Sequence, residues 1–379
     1  MKIVYFVHAV ASCWNNGNAH FLRGVGTELK VRGHDVVFCE PQNGWSETNL
    51  IADHGTGALT GFQRAYPGVK PKKYNPENPE LDRLTDGADL VIAHEWNETA
   101  LINALGGMRR RGAPFVLLFH DTHHRAVTQP GCMAKYQLAD YDGVLAFGEV
   151  LAELYRRRGW AKRVRAWHEA ADTAMFYPRP PSAQDGDVVW IGNWGDEERS
   201  AELGAFLFEP VEALRLSVNI YGVRYPQTAI AALIARGISY RGWLANHMAP
   251  EVFGRHRATV HVPRRPYAEA LRGIPTIRIF EALACGIPLI SAPWPDVEGL
   301  FPRDCYLTAR NGEQMSRAIT DVLHDRDLAH ELVRNGLNAI AQRHTCAHRV
   351  RELLAILAAL KLRRQRERHA PLNVGATAP

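Results

Sequence analysis

The sequence predicts an α/β fold of two domains, each built around a parallel β-sheet covered by helices. Its 379 residues exceed the length that one hydrophobic core usually organises. Apolar runs of strand length alternate with helical patterns along the chain, which is typical of parallel sheets. A stretch rich in turn-forming residues, 177–186, interrupts this alternation once. The two halves should therefore enclose a cleft, in which ligands bind at the carboxyl ends of the strands.

The first half of the chain contains five predicted strands, at residues 3–7, 35–38, 90–93, 115–119 and 143–147. A helix predicted at 19–32 ends at Gly33, a residue suited to the left-handed turn after a helix. Residues 43–79 are rich in Gly, Pro, Asn and Lys. We expect them to form a long excursion outside the sheet.

The second half repeats this architecture without repeating the sequence. Its five strands are predicted at residues 188–191, 216–220, 238–240, 258–262 and 288–291. The expected bounds are 1–177 for the N-terminal domain, 178–186 for the linker and 187–345 for the C-terminal domain. Residues 346–379 should form a helix that packs back on the N-terminal domain, followed by a basic tail.

The composition is that of an ordinary globular protein, with 46% hydrophobic and 22% charged residues. No stretch approaches the roughly 20 apolar residues that a membrane helix needs, and the first apolar run is too short for a secretory signal. Six cysteines occur without a C-x-x-C pair, so we expect reduced, structural thiols. The protein is expected to be cytoplasmic.

The formal net charge of +5 is concentrated near the C-terminus, because residues 361–369 carry five Lys or Arg and one Glu. The rest of the chain is nearly neutral, so its charge does not indicate a polyanionic partner. Residues 346–360 fit a helix with a core-facing apolar stripe. Peripheral attachment of this helix and its basic extension to a membrane is the alternative.

Four segments, in the same order along the chain, resemble family 4-like GT-B glycosyltransferases and, more narrowly, their CgeB-like branch. The most specific segment is RIFEALACGIPLI at 278–290. The others are NGNAH at 16–20 followed by RGHDV at 32–36, HEAADTAMFYP at 168–178, and WIGNWGDEER at 190–199. Together they extend over nearly the whole chain.

This resemblance implies a GT-B fold and transfer of a hexosyl or similar group from a nucleotide sugar to an acceptor hydroxyl, with retention. The N-terminal domain would form the acceptor side and the C-terminal domain the donor side. The donor would be a substrate, and no cofactor is expected. The residues expected to bind the donor are Gly17, Asn193, Ile277, Arg278 and Glu281.

The segment around Glu281 also has a direct physical interpretation. A helix predicted at 276–284 would present free N–H groups and its positive dipole end to a diphosphate. Glu281 would accept hydrogen bonds from ribose hydroxyls, as acidic residues do in other nucleotide sites; a solvated helix carboxylate is the alternative. Gly273 stands where the family often has another glutamate, which leaves the contacts to the transferred sugar open.

Two further residues are expected at the donor, Arg199 at its diphosphate and Gly17 at its phosphates or sugar. Arg199 can neutralise the leaving diphosphate with its guanidinium group, although an ordinary ion-pair partner at a helix start is the alternative. Gly17 would allow the backbone to approach the donor closely, unless it only forms a turn.

His120 and Glu95 are the candidates for proton transfer or sugar contact. Each follows a predicted parallel strand, so we expect each to border the cleft. His120 resembles a sugar-contacting histidine of the family, and a loop histidine paired with Asp121 is the alternative. Glu95 would act as a base toward the acceptor, or else serve as a structural carboxylate.

No metal is expected. The histidine pair at 123 and 124 lacks a recognisable ligand set. The D-x-D triplets at 140–142 and 325–327 invite a metal-dependent GT-A interpretation, but they are better explained by a strand entry and a helix N-terminus.

Two other functions share this architecture. A nucleotide-sugar 2-epimerase would use the same cleft without an acceptor. A catalytically silent GT-B subunit would bind without turnover, for which the glycine at position 273 is the main support. The base, the sugar and the acceptor, whether glycan, small molecule, protein or modified nucleic acid, are left open by the sequence, as is the oligomeric state.

Overall fold

The computed structural model describes residues 1–180 and 183–369. Part of the predicted linker, residues 181–182, and the end of the predicted basic tail, residues 370–379, lie outside the described residues. Within these bounds the chain forms two parallel sheets, one in each half.

The N-terminal sheet has seven parallel strands in the order β3-β2-β1-β4-β5-β6-β7. The strands are β1 Lys2–Phe6, β2 Asp35–Pro41, β3 Lys72–Tyr74, β4 Leu90–His94, β5 Val116–Asp121, β6 Gly143–Ala146 and β7 Val164–Ala166. The helices are α1 Ala19–Val31, α2 Trp45–His54, α3 Gly57–Ala65, α4 Leu81–Thr85, α5 Thr99–Arg110, α6 Arg125–Thr128, α7 Pro130–Met133 and α8 Glu149–Arg158.

The C-terminal sheet has six parallel strands in the order β10-β9-β8-β11-β12-β13. They are β8 Gly186–Ile191, β9 Val218–Tyr221, β10 Ser239–Gly242, β11 His256–His261, β12 Leu289–Ser291 and β13 Leu307–Thr308. The helices are α9 Ser200–Leu203, α10 Glu209–Ala213, α11 Gln227–Ala235, α12 Ala249–Phe253, α13 Ile277–Cys285, α14 Gly312–His324, α15 Arg326–Arg343 and α16 Cys346–His369. Both sheets have the strand order of a Rossmann-like domain, with a crossover beside the first strand.

All ten predicted strands are present, with bounds shifted by one to three residues. Three short edge strands, β3, β7 and β13, were not predicted, because two or three residues carry no readable alternation. The predicted excursion at 43–79 is wrong in part, since it contains α2, α3 and β3. Phe62 anchors α3 in the core despite the polar composition around it.

The final helix, α16, crosses back and packs against α1. Trp167 is fully buried and contacts both helices: its ring centre lies 5.0 Å from that of Phe21 in α1, and its indole N–H donates to the carbonyl of Arg349 in α16 at 2.9 Å. One apolar core runs through both halves and includes Phe21, Phe280 and Leu353. The two halves therefore share a packed interface in addition to the cleft. Among the described residues, none of the helices combines the length and apolar character that crossing a membrane requires.

Candidate active site

A cavity of about 1040 Å³ lies between the two domains. Its walls are the segments that follow β1 to β7 of one sheet and β8, β9 and β11 of the other. The carboxyl ends of both sheets thus open into the same space, as parallel sheets with bound ligands require. Of the predicted site residues, the cavity is lined by Gly17, Asn193, Arg199, Ile277 and Arg278.

Arg199 lies at the cavity wall and is only 8% exposed. It donates to the carbonyls of Val262, at 3.1 Å, and Asn193, and its guanidinium carbon lies 5.1 Å from the centre of the Trp190 ring. Burial, together with the charge of Arg264, lowers its pKa to about 9, so the group remains charged at neutral pH. Its Nε has no hydrogen-bond partner among the described residues. A buried cation that is fixed at the cavity wall in this way is suited to stabilising the negative charge of a ligand.

The first turn of α13 forms the neighbouring wall, with Thr276, Ile277 and Arg278 at the surface of the cavity. The first N–H groups of a helix have no acceptor within the helix and lie at its positive end. The hydroxyl of Thr276 is 3.0 Å from His261 Nε2 and makes no capping hydrogen bond to its own helix. The helix predicted at 276–284 thus begins at the cavity without a side-chain cap, and its binding of a diphosphate stays a prediction.

Gly17 and Asn193 bring the two domains together at the floor of the cavity. A Cβ atom on Gly17 would lie 3.1 Å from Cγ2 of Ile277, so the loop after β1 touches α13 closely. Asn193 Nδ2 donates to Asn15 Oδ1 at 2.6 Å, and its Oδ1 accepts from the N–H of Val223 at 3.0 Å. The side chain of Asn193 thus connects loops of both domains beside the predicted donor site.

Glu281 is placed behind the cavity wall and not at its surface. Its carboxylate is fully buried, pairs with Arg278, and lies 3.0 Å from His20 Nδ1. His20 Nε2 accepts the backbone N–H of Asp172 at 2.8 Å, which leaves Nδ1 to carry the proton toward Glu281. The expectation that this carboxylate is either cleft-facing or solvated is corrected. A contact to ribose stays a prediction and would require Arg278 to move.

The expectation that His120 borders the cleft is also corrected. Its ring is fully buried, with ring centres 4.9 Å from Trp167 and 5.3 Å from His94, and it does not line the cavity. Strand β5 continues through Asp121, so His120 lies within the strand and its side chain enters the core. The alternative pairing fails as well, because Asp121 accepts from the Tyr155 hydroxyl at 2.6 Å. Burial lowers the pKa of His120 to about 3, which keeps the ring neutral.

Glu95 does not reach the cavity either, contrary to its predicted role as an acceptor-side base. It is fully buried, and its carboxylate lies 3.5 Å from Arg125 Nη1. Burial and the nearby carboxylate of Asp121 hold its pKa well above the ordinary range. Arg125 does line the cavity and lies 4.8 Å from the centre of the Trp96 ring. Of the two interpretations of Glu95, the structure therefore favours the structural carboxylate. Glu95 holds Arg125 in place against the ring of Trp96.

An ion-paired cluster across the cleft was not predicted. Glu198 Oε2 lies 2.7 Å from Arg264 Nη1 and 3.3 Å from His124 Nε2 of the other domain. Burial opposes ionisation of Glu198, but the hydrogen bonds from His124 and Arg264 outweigh it and lower its pKa to about 2. Residues of this cluster come from three separate loops, so no local sequence pattern marks them as neighbours.

Glu169 is a second unpredicted group at the cavity, although it belongs to a recognised segment. Its side chain lines the cavity but is only 3% exposed, and Oε1 has no hydrogen-bond partner among the described residues. Burial and the nearby Glu281 raise its pKa to about 8, against a smaller opposing effect of Arg278. The site therefore contains a carboxylic acid that is largely protonated at neutral pH.

Potential metal ligands do not cluster in the part of the chain that the structure describes: no group of three or more His, Cys, Asp or Glu side chains could hold an ion. The acidic triplet at 140–142 serves the N-terminal domain, where Asp142 forms a two-point ion pair with Arg109 at 2.9 and 3.1 Å. Asp325 caps α15 by accepting the N–H of Leu328, as predicted.

Comparison with known proteins gives a partial family match and extensive structural likeness. A family model described as glycosyl transferase-like matches residues 199–355, less than half of the chain. No curated protein sequence matches the chain. The fold is similar to that of sucrose-phosphate synthase from Thermosynechococcus elongatus, with 15% identity, a TM-score of 0.65, and coverage of 96% of this chain and 100% of that one.

Two further solved structures are similar over nearly the full length. HepE from Anabaena in complex with UDP-glucose has 13% identity and a TM-score of 0.65, covering 95% of this chain and 100% of that one. An alpha-glucosyltransferase in complex with UDP and DNA containing an HMU base has 13% identity and a TM-score of 0.68, covering 94% and 99%. At such identities the likeness shows the fold alone, and the family 4-like and CgeB-like assignments stay predictions. The chain has the GT-B fold, with two Rossmann-like domains facing a central cleft.

Proposed function

We propose that this protein is a glycosyltransferase that moves a hexosyl or similar group from a nucleotide sugar to an acceptor hydroxyl, with retention of anomeric configuration. The partial match to a glycosyl transferase-like model and the GT-B fold support the reaction class. Retention rests on the resemblance to family 4-like enzymes and is tested by NMR of the product.

The observation that carries this proposal is the convergence of Arg199 and the first turn of α13 on one cavity between the domains. A nucleoside diphosphate is the leaving group of such a transfer, and negative charge grows on it as the sugar–phosphate bond breaks. A buried guanidinium and a helix N-terminus both stabilise that charge without reorganisation. We propose that they do so here without a divalent metal.

We propose a uridine nucleotide as the first donor base to test, because two similar structures contain UDP or UDP-glucose. Thermal-shift measurements with UDP, GDP, ADP, CDP and dTDP identify the base, since a ligand that binds only the folded state raises its apparent stability. We expect one nucleotide to stabilise the wild-type protein in EDTA and the Arg199→Ala variant less. If no nucleoside diphosphate shifts the melting temperature or binds in calorimetry, the proposed function is wrong.

A further inference from the structure

The N-terminal side of the cavity has an aromatic surface that the donor site does not use. Trp45 and Trp96 line the cavity and remain 56% and 40% exposed. The other seven tryptophans of the chain are buried or half-buried. Exposed tryptophan is costly in water and is enriched where a partner covers it. Within the described residues, the two most exposed indoles therefore lie in the same cavity.

Both rings are held from behind, which makes them rigid surfaces. Trp45 packs edge-on against the buried Trp14, with ring centres 4.9 Å apart. Arg125 covers one face of Trp96, and His123 meets the same ring edge-on at 4.8 Å. Their remaining exposed surface can take a ligand without much loss of side-chain entropy.

The charges around this aromatic surface distinguish between possible ligands. The loops that follow β2, β3 and β4 line the cavity with two charged side chains, Glu77 and Glu98, and both are exposed. No Lys or Arg from these three loops lines the cavity, and Arg125, which covers a face of Trp96 from the loop after β5, is paired with the buried Glu95. Nucleobases also stack on aromatic rings, but proteins that bind nucleic acid neutralise the phosphates with Lys or Arg. Two carboxylates in this position oppose a polyanion.

We propose, on the basis of the glycosyltransferase function proposed above, that the acceptor is a neutral carbohydrate whose sugar rings stack on Trp96 and on Trp45. The C–H face of a pyranose is apolar and packs against an aromatic face, while its hydroxyls suit the surrounding polar groups. Gln42 and Asn43 line the same region, and their exposed amides offer hydrogen-bond donors and acceptors. Glu77 and Glu98 add acceptors for hydroxyl groups.

The test uses the full chain with the donor that the thermal-shift screen identifies. The radiolabelled donor is incubated separately with each of four classes of acceptor. They are neutral glycans, uronic acid glycans, single-stranded oligonucleotides and phenols. We expect transfer to neutral glycans. Trp96→Ala should raise the acceptor KM about ten-fold or more while the donor dissociation constant, from calorimetry, stays unchanged. Trp45→Ala should act in the same direction.

Tyr177→Ala is the matched control, because Tyr177 is 43% exposed but lies outside the cavity lining. Preferred transfer to oligonucleotides, acidic glycans or phenols would overturn this inference while leaving the glycosyltransferase function intact. An acceptor KM in both tryptophan variants equal to that of Tyr177→Ala would overturn it too. Absence of nucleotide binding would instead remove the proposed function and this inference with it.

Discussion

The two sides of the cavity differ sharply in charge, although both are built from loops at the ends of parallel strands. The C-terminal side contributes four arginines and two carboxylates, and the N-terminal side one arginine and three carboxyl groups. The residues are Arg199, Arg224, Arg264, Arg278, Asp196 and Glu198 on the C-terminal side, and Arg125, Glu77, Glu98 and Glu169 on the N-terminal side. A diphosphate fits the first side and a neutral, hydroxyl-rich molecule the second. The two domains therefore share one architecture, and the side chains of their loops determine what each side of the cavity can bind.

A further difference separates the cavity wall from the layer behind it. His20, His120, Glu95 and Glu281 are all fully buried, and they lie outside the lining. The cavity wall, in contrast, consists of loop residues whose arginine side chains and backbone groups face the cavity. The Arg199 and His120 variants test whether the wall serves function and the layer behind it serves stability.

The largest effect is expected for Arg199→Ala, which removes the fixed charge from the basic side. We expect kcat to fall by about 10²- to 10³-fold with a smaller loss of nucleotide affinity, because the charge on the leaving group grows in the transition state. Steady-state kinetics and calorimetry with the free nucleoside diphosphate separate the two. Arg236→Ala is the control, since Arg236 contacts Glu212 and the carbonyl of Ala232 on an exposed surface of the same domain, outside the cavity lining. Equal kcat values for the two variants would contradict the assignment.

His120→Ala is expected to lower stability and to change kcat little. Truncating a buried aromatic side chain costs about 2 to 4 kcal/mol through lost packing. Both ring nitrogens lack hydrogen-bond partners among the described residues, so His120→Phe should recover most of that loss by filling the space without polar atoms. Chemical denaturation measures the free energy of unfolding of each. If His120→Phe is as stable as wild type but has no turnover, His120 has a catalytic role after all.

The contrast between wall and buried layer also explains what the sequence could predict. Alternating apolar runs predicted the two sheets, and the helix start at 276 followed from the loop before it. The sequence could place Arg199, Gly17, Asn193 and the first turn of α13 at the cleft because each stands in a contiguous segment, and all of them line the cavity. His120 was misplaced because β5 runs two residues further than its apolar run. His120 therefore lies inside the strand with its side chain in the core, and not after the strand end at the cleft.

The remaining residues could not be predicted for a different reason. The cluster of Glu198, Arg264 and His124 depends on how the domains are oriented, which no local pattern records. Glu169 stands in a recognised segment, but its significance arises only from burial beside Glu281 and Arg278. Gly273 is explained by structure alone: its φ is +99°, and a Cβ there would lie 2.9 Å from Val297 Cγ2. A glutamate at that position would therefore be strained in this fold.

Glu169→Gln tests the protonated acid on the N-terminal side. A carboxyl group whose folded-state pKa is raised from 4.5 to about 8 keeps its proton in the folded state while the unfolded chain loses it. Its contribution to stability is therefore full below about pH 4.5 and declines by up to about 1.4 kcal/mol per pH unit as pH rises toward 8. The stability of wild type relative to Glu169→Gln should fall over this window. Glu153→Gln, at an exposed position, should show no such trend. Parallel curves for all three proteins would contradict the raised pKa.

The smallest effect is expected for Gly17→Ala, which tests how closely the two sides meet at the donor site. The added methyl group would lie 3.1 Å from Ile277 Cγ2, which a shift of a few tenths of an ångström relieves. That shift moves the loop after β1 relative to the N-terminus of α13, so donor affinity should fall by about two- to ten-fold, since misplacement of positioned groups weakens their contacts. The acceptor KM should not change, because the proposed acceptor site is formed by the loops after β2 and β4.

Gly57→Ala is the control, because a Cβ there meets nothing within 4 Å and Gly57 begins α3 outside the cavity. The control should be as stable as wild type or slightly more so, because alanine restricts the unfolded chain. If Gly17→Ala raises the acceptor KM and leaves nucleotide binding intact, the loop after β1 serves the N-terminal side of the cavity, and the division between a basic donor half and an aromatic acceptor half must be redrawn there.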